Sequence, residues 1–370
     1  MNSIFSPRTL FSRRSALLGL TALSFALAGC SGGTAGDNSG ATLGNGGGGM
    51  QVSGETVGVA LSSMNHNFFI GMRQGVEEQL AEEGMRGEFV VADDSATQQQ
   101  QQVDQLIQKG VKAIVMVPVD ATQAVNPVKA ANAAGIPVFC IDRRVTADGA
   151  EVACTVETDN VAMGEMAAEH AMKLLCERRG LDPANAEEVK KLSATVVHLW
   201  GLEAASSAQD RAAGFERVFN STKTPGVKII KAVGNFNAAK SQQEIAPILT
   251  SNPDIELLFC HNDDNAIGAL NAVKDVKKGR GEPNDPKRVL IVGMDGNKPV
   301  IDAVRAGEIE ATVSQEPIEM GRETVKQLRK VLNGSQPDST YIAIRHHLVT
   351  QKEAQEQQGK LWADQLKGGV

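Results

Sequence analysis

The stretch ETVGVALSSMNHNFFIGMRQGVEEQLAEEG, residues 55–84, holds one complete structural unit of this chain. Thr56–Ser62 is a run of small and β-branched apolar residues, which reads as a strand covered on both faces. From about Phe69 to Gly84 the apolar residues recur at helical spacing, and Gly84 stands where a glycine closes a helix. Between strand and helix lie the polar and aromatic side chains of SSMNHNFF (62–69). Open α/β sheets hold their ligands at this carboxyl end of the strands.

The unit repeats. Apolar runs at Gly87–Ala92, Ala113–Val117, Pro137–Ile141 and Val152–Val156 alternate with helical patterns at Thr97–Lys109 and Thr122–Ala134. The rhythm restarts with a helix at Val161–Arg179. Strand runs then follow at Ala194–Leu199, Val227–Val233, Leu257–Cys260, Val289–Val292 and Ala311–Val313, separated by four more helical segments. Two such sets imply an α/β fold of two lobes, each a parallel sheet flanked by helices. The Gln98–Gln102 run sits at helical spacing and reads as a solvated helix face, and the stretches 178–191 and 277–288 read as surface insertions.

Before the first strand the composition differs. Residues 1–30 carry Arg8, Arg13 and Arg14 and no acid, then the apolar run Ala16–Ala28, then Leu27-Ala28-Gly29-Cys30. This is an export signal, too short to span a bilayer, with a small-residue cleavage site ending in cysteine. Paired Arg13-Arg14 also fits a twin-arginine signal. Residues 31–54 are nearly all Gly, Ser, Ala, Thr and Asn, with too little apolar surface to offset the entropy of ordering, and read as a flexible tether. The formal charge is −7 for the whole chain, so removing residues 1–30 with their three arginines leaves −10. Such an acidic balance argues against nucleic acid as a partner. After Cys30 there remain Cys140, Cys154, Cys176 and Cys260, with no CxxC and no metal-ligand cluster, so no metal or cofactor is expected. Buried free thiols are the expected state, with a Cys140–Cys154 pair as the alternative.

Five further pieces resemble 62–69 in placing polar or charged groups near strand ends: CIDRR (140–144), QDRAAGF (209–215), FCHND (259–263), GMDG (293–296) and SQEP (314–317). With the export signal and the doubled α/β rhythm, they make residues 55–350 similar to the sugar-binding proteins of ABC transporters, of the ribose-binding type. The tetrad ending in Cys30 likewise resembles a bacterial lipobox, implying lipidation of that cysteine. The resemblance implies a type I periplasmic binding protein: two Rossmann-like lobes joined by a three-crossing hinge near Thr158–Asp159, Gln315–Glu316 and Ala343–His346. It places 55–158 plus 316–343 in the N-terminal lobe and 159–315 plus 344–370 in the C-terminal lobe. The ligand shell it implies is Ser62, His66, Phe68, Phe69, Asp142, Arg143, Arg211, Phe236, Asn262, Asp295 and Gln315. His66 and Val117 depart from it, since ribose binders place asparagine at both positions.

The chemistry suits a monosaccharide, whose hydroxyls both donate and accept. Carboxylates accept, guanidinium forks donate, amides do both, and aromatic rings cover C–H faces. Each residue also has a plainer reading: phenylalanines as core, Asp142-Arg143 as a surface ion pair, Asn262-Asp263 as a helix cap with Asp263 as the capping residue, and Asp295-Gly296 as a turn. A sugar-responsive repressor would need a basic DNA-reading helix, and a hydrolase would use Asp142 and Asp295 as a glycosidase pair. The expectation is a non-enzymatic, monomeric lipoprotein that passes a small sugar to an ABC permease, touching the membrane through its lipid alone. A receptor for a sugar-like signal, a furanosyl autoinducer or a chemotaxis ligand, is the alternative. The tail, Lys352–Val370, reads as a terminal helix on one lobe.

Overall fold

The computed structural model describes residues 54–222, 224–276 and 287–367. The expected signal, Cys30 and nearly all of the tether lie outside the described residues, as do positions 277–286 of the second surface insertion.

Twelve strands occur among the described residues: β1 (Thr56–Leu61), β2 (Arg86–Val91), β3 (Ala113–Met116), β4 (Val138–Ile141), β5 (Cys154–Thr158), β6 (Ser193–Trp200), β7 (Gly226–Val233), β8 (Ile255–Cys260), β9 (Leu290–Asp295), β10 (Ala311–Ser314), β11 (Tyr341–Ile344) and β12 (His347–Thr350). They form two six-stranded sheets, ordered β11-β5-β4-β3-β1-β2 and β12-β10-β9-β8-β6-β7. Every pairing is parallel except β10 with β12. Parallel strands need crossover helices, and these cover both faces of each sheet. The alternation along β1 shows it: Val59 and Leu61 pack with Met72, Phe139 and Leu328 on one face, while Ala60 packs with Val103, Leu106 and Ile114 on the other. Each fully buried Val, Leu, Ile, Met or Phe among these contributes about 1.5–3 kcal/mol.

The chain passes between sheets after β5, after β10 and between β11 and β12, which makes the three-crossing hinge. One long helix, Pro317–Leu332, was not among the expected elements. It packs on helix Asn67–Glu82 and returns the chain to the first lobe after the second crossing. Its signal was Pro317 at the first helical position and the stripe Ile318, Val325 and Leu328.

One single-residue reading changes, and the expectation of buried free thiols holds. Gln99, inside the expected solvated run, is buried: its side chain donates to Val117 O at 2.8 Å and accepts from Val119 N at 3.0 Å, so it ties helix Ala96–Gln108 to the end of β3. The four described cysteines are free and buried. Phe139 lies opposite Cys154 across β4 and β5, so Cys140 and Cys154 project to opposite faces of the sheet and cannot bond.

Candidate ligand-binding site

A cavity of about 310 Å³ lies between the carboxyl ends of the two sheets. His66, Phe68 and Phe69 reach it from the start of helix Asn67–Glu82, and Asp142 with Arg143 from the turn after β4. The second lobe contributes Arg211 from helix Ser206–Ser221, Phe236 after β7, Asn262 after β8 and Asp295 at the end of β9. Gln315 stands at a crossing, just after β10. Ten of the eleven expected residues therefore meet in one place.

Ser62 does not. It stands at the bend just after β1, outside the lining, and its hydroxyl is buried without a hydrogen-bond partner. Val117 is also absent from the lining; only His66 of the two departures faces the cavity. Ser207, which the sequence reading missed, lines it from the first turn of helix Ser206–Ser221. A Ser-Ser pair just ahead of QDRAAGF was the available signal.

Three lining residues, Asp142 (φ 66°), Phe236 (φ 58°) and Asp295 (φ 125°), hold backbone conformations that L-residues rarely adopt. Each costs on the order of 1–3 kcal/mol and persists where surroundings over-determine it. Phe236 shows how. A Cβ on Gly201 would sit 2.0 Å from its ring, so only glycine at 201 lets the ring lie where it does. The Arg143 guanidinium stands 5.5 Å from that ring centre and 5.6 Å from the Phe69 ring, within cation–π range of both.

The charges alternate around the cavity. Arg143 Nε lies 3.4 Å from Asp142 Oδ2, and Arg211 Nη2 lies 3.3 Å from Asp295 Oδ1. Gln315 donates to Asp295 Oδ1 at 2.7 Å and accepts from the Thr158 hydroxyl, so both crossings it touches are linked to the site. Burial pushes the Asp142 carboxyl up against the pull of Arg143 and Arg211, and pushes Asp295 up to about 6 against Arg211 and Gln315. Arg143 Nε has no hydrogen-bond partner. Such a lining can exchange hydrogen bonds of both polarities with a small polyol while rings cover its carbon faces.

Asn262, not Asp263, caps the helix Asp263–Val276. Its Oδ1 accepts from Asn265 N at 2.8 Å, whereas the Asp263 carboxylate turns inward, accepting from the Thr312 hydroxyl at 2.7 Å and Asn297 N at 2.6 Å. Arg144, unassigned within CIDRR, joins the lobes. Its backbone N–H donates to Ser206 Oγ at 3.0 Å and its guanidinium binds Asp210 at 2.7 Å and Glu157 at 3.0 Å.

The periplasmic binding protein domain family matches residues 57–336. The chain belongs to that family. The ribose import binding protein of Bacillus subtilis (strain 168) is 31% identical to this periplasmic binding protein over 80% of its chain and 88% of the relative. The D-apiose import binding protein of Paraburkholderia graminis is 30% identical over 72% and 77%. Among solved structures, the arabinose-transporter binding protein of Shewanella sp. ANA-3 superposes with a TM-score of 0.73 at 24% identity, covering 85% of this chain and 99% of its own, which is a likeness of fold. This periplasmic binding protein is of the ribose-binding type, a binder and not an enzyme, and the family locates it outside the cytoplasm.

In this periplasmic binding protein His66 Nδ1 lies 3.0 Å from Asp264 Oδ2 across the cleft, at ion-pair distance without an aligned hydrogen bond. Burial opposes charge on the ring, but Asp264, Asp295 and Asp94 outweigh it, and the net shift is upward from 6.5. A raised histidine value stabilises the closed state fully below pH 6.5, and that contribution is lost as pH climbs through the raised value. Ligand affinity should therefore fall as pH rises above 6.5, and His66→Asn should flatten this part of the profile. Calorimetric titrations of wild type and variant from pH 6 to 8.5 check it. Parallel profiles for the two would remove His66 as the origin.

Proposed function

We propose that the protein is a lipid-anchored, monomeric receptor that closes over one pentose or similarly small sugar and hands it to an ABC importer. The observation that carries this reading is the alternation of Asp142, Arg143, Arg211 and Asp295 with three phenylalanine rings around a cavity of about 310 Å³, drawn from both lobes. The relatives named for ribose and D-apiose import support the sugar class. His66, in place of an amide, sets which sugar is preferred.

A thermal-shift screen of D-ribose, D-apiose, D-allose, L-arabinose and galactose tests the ligand class. A sugar at a hundred times its Kd adds about 2.7 kcal/mol of stability, so at least one should raise the midpoint by several degrees. No shift with any of them contradicts the reading. For the anchor, Cys30→Ala should release the protein from the membrane fraction of cells; a variant processed and membrane-bound as wild type would refute it.

A further inference from the structure

The tail does not stay on one lobe. Helix Gln351–Glu356 packs on helix Lys298–Arg305, and Ala354 and Leu361 are buried in the second-lobe core. The next two residues, Trp362 and Ala363, are buried in the first-lobe core with Phe68 and Met72. Beyond them Lys367 N donates to Gln74 Oε1 at 2.9 Å and its amine binds Glu78 at 2.6 Å, both on helix Asn67–Glu82. Asp364 meanwhile lies 3.5 Å from Arg305 of the second lobe. The chain thus crosses between the lobes a fourth time, at residues 361–362.

At that crossing one side chain touches both halves of the cavity wall. The Trp362 ring meets the Phe68 ring edge-on, with centroids 6.4 Å apart, and its indole N–H donates to Asp295 O at 3.0 Å. Gly71 makes room: a Cβ there would lie 3.1 Å from the indole. Asp295 is the residue with φ 125°, and its carbonyl accepts from Gln315 N at 3.1 Å and from Trp362 Nε1. One is at the second hinge crossing, the other at the fourth.

We propose that Trp362 is a positioning residue of the sugar site: it holds Asp295 in its strained conformation and ties the carboxylate of one lobe to the aromatic wall of the other. This rests on the sugar-binding reading above. Trp362→Phe keeps a ring against Phe68 and deletes the donor.

In the full chain, Trp362→Phe should weaken binding of the best panel sugar about tenfold, the loss of a single buried hydrogen bond's orientation. Leu249→Ala, a remote second-lobe core change, should lower the unliganded midpoint and leave affinity at the wild-type value. A merely structural Trp362 would behave like Leu249. A second readout needs no sugar: with Trp200→Phe assigning the signals, the Trp362 indole N–H should exchange with solvent on the order of a hundredfold more slowly than that of Trp200. Wild-type affinity in Trp362→Phe, or equal exchange of the two indoles, overturns the proposal. If no sugar binds wild type, the proposed function fails and the positioning role falls with it, whatever the exchange rates.

Discussion

Arg211→Ala is expected to lower sugar affinity by roughly two to four orders of magnitude, the loss of two hydrogen bonds to a charged group at about 1.5–3 kcal/mol each. The guanidinium is buried, 3% exposed, and three of its five N–H donors are tied to the scaffold, leaving two for a ligand. It donates from Nε to Asn160 Oδ1 at 2.9 Å and from Nη1 to the carbonyl of His261, and pairs with Asp295. Those scaffold contacts make its removal costly to the fold as well, since removing one partner of a buried ion pair costs about 3–5 kcal/mol. Asp295, already pushed up to about 6 by burial, loses its nearest cation and must rise further. A carboxyl with a raised native value makes stability fall as pH climbs from its ordinary value through the raised one, and in the variant that window extends above pH 6. Lysine should rescue only in part, since it lacks the planar fork. Calorimetry and thermal melts at pH 5 and 7 read all of this, and wild-type affinity in Arg211→Ala would remove the residue from the site.

The second large effect is on stability. Asp263→Ala leaves the Thr312 hydroxyl and Asn297 N–H buried without an acceptor, at about 1–3 kcal/mol each, so unfolding stability should fall by roughly 2–6 kcal/mol. Asp263→Asn keeps an acceptor for Asn297 and offers Thr312 a donor, and should cost far less. Burial and the neighbouring Asp295 hold the Asp263 carboxyl well above its ordinary value. The native state therefore keeps that proton more tightly than the unfolded chain, and stability contributed here declines as pH rises above the ordinary carboxylate range. Asparagine removes this slope. Denaturant melts of the three proteins at pH 5 and 8 decide it: an alanine variant as stable as the asparagine variant would show that the buried acceptors carry no weight.

What the sequence made legible follows from periodicity. Strands buried on both faces, such as VGVAL (57–61), are continuous apolar runs, and their ends mark where ligands lie, which is why ten expected residues converge on one cavity. What stayed hidden depends on tertiary partners. Asn262 and Asp263 are both good caps, and only Thr312 and Asn297, far along the chain, draw Asp263 inward. Helix Pro317–Leu332 starts at Glu316 without a side-chain cap, so its first turn lacks the usual polar start signal. Asp142, Phe236 and Asp295 carry positive φ without being glycine, which no pattern of residue types announces. Ser62 sits in the right motif but at the bend after β1, outside the cavity lining.

The central claim is capture between two lobes, with Asp142 and Arg143 on one side and Arg211 and Asp295 on the other. Contacts shared by both lobes favour the closed state through their differential affinity. Small-angle scattering of the mature chain, with and without the best-binding sugar at saturation, measures this directly. A smaller radius of gyration with sugar bound is the predicted result; an unchanged radius despite a tightly bound sugar would contradict the account.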